Sequence, residues 1–185
     1  MAPIQVRPTR ADIAVANAIS RHTGRGTEKA AQFLTWGADE HILCALAAGW
    51  WLYSRRGNAD QRLAADHILL TTFAASALPH LLKNVFDQTR PDRRTIRGHW
   101  RGVPFSGKTE DAFPSGHSVH VGALASAASR LPPQQRNLVW AAGAGLVATR
   151  VVLLAHWVSD VVAGLAVGAT LERAFRFVSG YGRTT

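Results

Sequence analysis

The stretch Thr149–Asp160, TRVVLLAHWVSD, decides how the rest of the chain is read. It joins two apolar runs, Leu138–Leu154 and Trp157–Phe177, and places an arginine, a histidine and an aspartate at their junction. His156 and Asp160 stand four apart in sequence, so on one helix they share a face. A carboxylate so placed accepts a hydrogen bond from one ring nitrogen and leaves the other unprotonated and nucleophilic. A turn around Ala155 would bring Arg150 to the same side. Taken alone, the stretch reads more simply as a structural His–Asp pair at a helix start.

Two further clusters extend the pattern. Pro114-Ser115-Gly116-His117 precedes the apolar run Ser118–Leu131. The free N–H groups at such a helix start point toward an anion, and Gly116 lets the backbone approach it closely. Ser115 adds a hydroxyl donor, and His117 falls in the first turn, placed to act as a general acid. Lys83 and Arg90 would lie on one helical face, although Pro91 stops a helix from continuing past Arg90. Alone, the first motif is a helix-start turn and the second a pair of solvated cations. Together the clusters supply three cations, two histidines, a serine and a carboxylate. That set can grip a phosphate, attack it with an imidazole and protonate what leaves.

The 185 residues suffice for one domain with a real core. A net charge of +9 calls for an anionic partner: nucleic acid, acidic lipid surface or phosphorylated substrate. Cys44, the single cysteine, lies in an apolar run and is expected to pack there as a small buried hydrophobe. The first residues lack the apolar core of a secretory signal. Mean hydropathy is near zero, and no window holds the roughly 18 unbroken apolar residues of a clear spanning helix. Five apolar segments nonetheless follow one another: His41–Ser54, Leu63–Phe86, Ser118–Leu131, Leu138–Leu154 and Trp157–Phe177. A soluble helical bundle would show the same segments.

The interruptions favour a membrane. Lys83, His117, Arg150, His156 and Asp160 lie within or beside these segments, and ionisable groups at such places face a polar cavity. Gly164 with Gly168, and Ala141 with Gly145, have the spacing of close helix contacts. The expected fold is all-α: a membrane-embedded helical bundle of about five transmembrane helices with an amphipathic N-terminal helical segment. Residues 1–38 form that lead-in, 39–178 the core and 179–185 a tail. In the lead-in, Thr9 and Asp12 fit a capping box for a helix over Ala11–Ser20. Gly24-Arg25-Gly26 is expected to break it, and Thr27 to cap a second helix carrying Ala30, Phe33 and Leu34. This pair can lie on a membrane surface or pack on the bundle. Asp87–Phe113 is a long polar connection of the kind that often carries function, and no strand-like alternation is evident.

In order and spacing the three clusters resemble the three-part signature of the type 2 phosphatidic acid phosphatase superfamily. Lys83 with Arg90-Pro91 fits the first part, Pro114-Ser115-Gly116-His117 the second, and Arg150, His156 and Asp160 the third. Thr149 stands where the family usually has serine, and keeps the hydroxyl. The resemblance covers roughly residues 40–178. It implies that His156 attacks phosphorus to form a phosphohistidine, that Asp160 orients it, and that His117 protonates the leaving oxygen and later activates water. It implies that Lys83, Arg90, Arg150, Ser115 and Gly116 bind the phosphoryl oxygens, with neither metal nor other cofactor. The implied substrate is a phosphate monoester or diphosphate on a lipid or polyprenol, and the implied surroundings are a bilayer rather than nucleic acid.

Five spans would put Arg55, Arg56, Arg62, Arg130, Arg136, Arg173, Arg176 and Arg183 opposite the site. That arrangement points to a multi-pass protein of the cell (inner) membrane with its site on the outer face, which the resemblance also favours, although the basic amino-terminal region then falls on the outer side, against the same rule. Two other functions compete. A vanadate-dependent haloperoxidase uses the same residues, but those enzymes are larger and soluble. A non-catalytic binder of anionic lipid or nucleic acid needs the charge alone. His117 and His120 have a metal-pair spacing without further ligands nearby. His41, His67, His80 and His99 are expected in interfaces or loops, and Trp36, Trp50, Trp51, Trp100 and Trp157 as interfacial anchors. Trp100, Phe105 and Phe113 flank the site and can touch a lipid chain, although ordinary loop packing explains them as well.

Overall fold

The computed structural model describes residues 4–94 and 111–182. Trp100, Phe105, His99 and Arg183 lie outside the described residues. Helices α1 (Arg10–His22) and α2 (Arg25–Thr35) lead through a 3-10 turn, Trp36–Ala38, into α3 (Glu40–Ser54) and α4 (Ala59–Leu82). A short α5 (Pro91–Arg94) is followed by α6 (Gly116–Ala128), α7 (Pro133–Val152) and α8 (Val158–Ser179). The five apolar segments therefore become α3, α4, α6, α7 and α8. The helical expectation is met. Among the described residues, however, no helix is long and apolar enough to cross a membrane by the usual 18-residue measure.

Several local readings change. Gly24 caps α2, which begins at Arg25 and carries Thr27 inside it. Helix α4 ends at Leu82 with Lys83 as its cap, so Lys83 and Arg90 do not share a helix. A two-residue strand pair also forms: β1 (Ile4–Gln5) runs parallel to β2 (Phe86–Asp87). Two residues are too few to display a period.

Helix α6 lies at the centre, along α8 and against α4, α7 and α3. Small residues allow this. A Cβ at Gly164 would sit 2.7 Å from the Ser115 carbonyl oxygen, and one at Gly168 would collide with the Val119 carbonyl. One at Gly122 would collide with the Leu165 carbonyl. The Gly164–Gly168 pair is thus the α6–α8 contact. Gly145 has no such neighbour within 4 Å, and its spacing to Ala141 marks no comparable contact.

The amino-terminal helices close over one end of this bundle. Asp12 completes the expected capping box with Thr9 and also reaches α8, accepting from Ser159 N (2.9 Å) and Ser159 Oγ (2.8 Å). One carboxylate thereby serves the first turns of two helices. Burial would raise its pKa, but the bonds from Ser159 and Thr9 outweigh that and hold it below the ordinary value. Asp12→Ala is expected to cost about 2 kcal/mol, the loss of two caps, read as a lower unfolding midpoint.

His67 is a correction. It is fully buried in α4, with Nε2 3.0 Å from Glu172 Oε1 and its ring stacked on Tyr181. Glu172 is held in turn by Arg176 and Ser126. Trp157 is another: it is buried, and its indole N–H donates to the Thr89 carbonyl at 2.8 Å. Cys44 is only half-buried, 3.2 Å from Ser76 Oγ.

Candidate active site

The end of α7 sets the first two groups. Leu154 adopts φ 55°, a left-handed conformation that costs a non-glycine residue about 1–2 kcal/mol. With it the helix closes in a Schellman turn: Leu154 N donates to Val151 O at 2.9 Å and Ala155 N to Arg150 O at 3.0 Å. His156 N also donates to Arg150 O, at 3.3 Å. The turn expected around Ala155 is therefore present, and it ties Arg150 and His156 together through a backbone oxygen.

His156 is buried. Its Nδ1 donates to the Ala112 carbonyl at 2.7 Å, while Asp160 Oδ2 lies 3.9 Å away. The direct hydrogen bond goes to a main-chain carbonyl, not to the carboxylate that helical spacing suggested. The tautomer is the same: a proton on Nδ1 and a lone pair on Nε2. Asp160 instead accepts from Trp157 N at 2.8 Å, capping α8. It also accepts from the Gln88 side-chain amide, oriented nitrogen inward. Burial, then the charges of Arg150, Arg90 and Lys83, hold the His156 pKa well below the ordinary histidine value. The imidazole is therefore neutral at neutral pH.

The remaining parts come from separate elements. Ser115 caps α6, donates its N–H to the Asp160 carbonyl at 3.3 Å, and precedes Gly116 and His117 in the first turn. His117 lies in the field of Arg150 and Lys83, beside the backbone of Thr35. Lys83 and Arg90 meet through Asp111: its carboxylate is 3.7 Å from Lys83 Nζ and accepts from Arg90 Nε at 2.7 Å. Arg150 Nη1 donates to Thr35 Oγ1 at 2.9 Å. All eight residues expected at the site thus belong to one neighbourhood at the same end of the bundle.

Three buried donors at this place have no hydrogen-bond partner among the described residues: Arg90 Nη1, Arg150 Nε and Ser115 Oγ. Orphaned buried donors are costly. Arginine N–H groups, a serine hydroxyl and a helix start are the kinds of donor that an oxygen-rich anion can satisfy.

Residues 65–181 match the PAP2 superfamily, and those residues make up most of the chain. The chain belongs to the PAP2 superfamily. Relatives with sequence similarity to the chain include the lipid A 1-phosphatases of Rhizobium johnstonii and Rhizobium etli. The first is 40% identical over 104 residues, 56% of this chain and 43% of the relative. The second is 40% identical over 126 residues, 65% of this chain and 54% of the relative. The chain therefore spans about half the length of these curated relatives. Among solved structures, Aquifex aeolicus LpxE superposes with a TM-score of 0.68 at 13% identity, covering 95% of this chain and 98% of that one. The PAP2-type phosphatidylglycerolphosphate phosphatase from Bacillus subtilis gives 0.61 at 21% identity, covering 92% and 85%.

Gln88, Asp111, Ala112 and Thr35 were not expected at the site. Gln88, Asp111 and Ala112 lie in the polar connection, whose length alone signalled importance. The Ala112 contribution is a backbone oxygen, which no residue identity announces. Thr35 lies in the amino-terminal lead-in, far from the motifs in sequence.

Proposed function

We propose that this PAP2 protein is a membrane-embedded lipid phosphatase that removes a phosphate from a lipid or polyprenol through a phosphohistidine. The observation that carries the reading is a trio of buried donors without a partner among the described residues, Arg90 Nη1, Arg150 Nε and Ser115 Oγ; both arginines act on His156 by their charge, and Ser115 is hydrogen-bonded to the Asp160 backbone. The relatives favour a glycosidic phosphate of the lipid A type as substrate.

In the first step His156 Nε2 attacks phosphorus, and a P–N bond forms as the bond to the leaving oxygen breaks. His117, whose pKa burial and the charge of Arg150 lower to about 3 in the unliganded site, takes up a proton as the negative phosphate binds beside it, and supplies that proton to the leaving oxygen. In the second step His117 accepts a proton from water, the water oxygen attacks phosphorus, and the P–N bond breaks. The Ala112 carbonyl keeps the Nδ1 proton in place throughout. Lys83, Arg90, Arg150, Ser115 and the α6 start stabilise the charge on the equatorial oxygens, where positioning and electrostatics supply most of the acceleration.

Exposed apolar side chains support the bilayer: Leu46 and Trp50 on α3, Leu70 and Phe73 on α4, Val162 and Phe177 on α8. Burial of these rows in lipid removes a water-facing apolar surface that a soluble bundle rarely keeps. Arg55, Arg56, Arg62, Arg130, Arg136 and Arg173 lie at the helix ends away from the site, which favours cytoplasmic linkers and an outer-face site.

The test is phosphate release by the purified full chain in detergent, with chelator present. The panel is lipid A 1-phosphate, phosphatidate, phosphatidylglycerol phosphate, and a polyprenyl diphosphate. Release from at least one, chelator notwithstanding, is expected. Failure on every member would remove the hydrolase reading.

A further inference from the structure

We propose that Thr35 is a positioning residue of this site, whose hydroxyl orients the Arg150 guanidinium toward the phosphoryl group. The inference rests on the phosphate reading above.

The two site arginines are held differently. Arg90 is fixed by a carboxylate, with Nε 2.7 Å from Asp111 Oδ1. Arg150 is buried, and among the described residues the hydroxyl of Thr35 is the side-chain acceptor for its Nη1, at 2.9 Å. A guanidinium is planar, with its N–H groups in a fixed fork, so anchoring one nitrogen sets the direction of the others. Of the other two nitrogens, Nε is buried and has no partner among the described residues. A hydroxyl anchors without neutralising. Arg150 therefore keeps its charge for the substrate, whereas Arg90 and Lys83 already share a carboxylate.

Thr35 is itself firmly placed. It ends α2, which packs on α7. The turn after it is locked: a Cβ on Gly37 would stand 2.9 Å from Leu146 Cδ2, and Ala38 is buried with Val121, Val147 and Val161. Its backbone also lies beside His117. Position 35 falls outside the span 65–181 matched to the family, so the motifs give no hint of it.

The experiment compares Thr35→Val and Thr35→Ser with the wild-type full chain in detergent, by turnover of the preferred lipid phosphate and by calorimetric binding of inorganic phosphate. Thr35→Val is expected to lower kcat/KM by about ten- to a hundredfold, the worth of a hydrogen bond to a charged group, and to weaken phosphate binding about tenfold. Thr35→Ser should stay within about threefold of wild type in both, since it keeps the acceptor. Equal thermal midpoints for the two variants would exclude a packing effect. Wild-type behaviour of Thr35→Val, or equal damage in both variants, overturns the inference. A wild type that binds phosphate yet releases none from lipid defeats the hydrolase reading, while the phosphate arm still decides Thr35. A wild type that binds no phosphate defeats both.

Discussion

His156→Ala is expected to reduce phosphate release by about 10^4-fold or more, because it deletes the group that bonds to phosphorus. Inorganic phosphate binding should persist, since Lys83, Arg90, Arg150 and Ser115 are untouched. The contrast matters because His156 is buried, and a variant that merely unfolds would lose both properties. Only the loss of turnover with binding retained identifies a nucleophile. Rapid quenching of the wild type in alkali should trap phosphate on a ring nitrogen, and His156→Ala should trap none. Turnover in the variant within about tenfold of wild type would exclude a covalent intermediate on this residue.

The second large effect concerns packing. Gly168→Ala places a methyl group on the Val119 carbonyl oxygen and 2.8 Å from Ala123 N. Both obstacles are backbone in a central helix, so no side chain can swing away. The helices must separate, at a cost of about 1–3 kcal/mol or more. Gly145→Ala is the control. Nothing lies within 4 Å of a Cβ there, and alanine favours a helix by about 1 kcal/mol over glycine. Thermal unfolding in detergent should fall for the first variant and hold or rise for the second. Equal midpoints would show that the α6–α8 contact is looser than its geometry indicates.

How much of this could be read from the chain? The five apolar segments became five helices, because long apolar runs with good helix formers leave little choice. The Gly164–Gly168 spacing pointed to a close contact, and the capping box of Thr9 and Asp12 was legible because it is local. Errors arose where a residue's partner is remote. His67 looks like any polar residue in a helix until Glu172 and Tyr181 are brought beside it. Lys83 and Arg90 looked like helical neighbours, yet they meet through Asp111, across the end of α4. The site residues carrying charge or a ring announced themselves by type. Those that orient them, a carbonyl of Ala112 and a hydroxyl of Thr35, are chemically ordinary and depend on the fold for their meaning.

The left-handed turn at Leu154 has a consequence for how this protein can change over time. Arg150 O accepts from both Ala155 and His156, so the interval from arginine to histidine is counted out in main-chain bonds. One inserted residue would break that count. An insertion just after His156 would rotate Asp160 by about 100° around α8 relative to the ring it serves. Length variation is thereby closed off between positions 150 and 160, whereas a side chain that takes no part in the chemistry, such as Thr149 just before that interval, remains open to exchange.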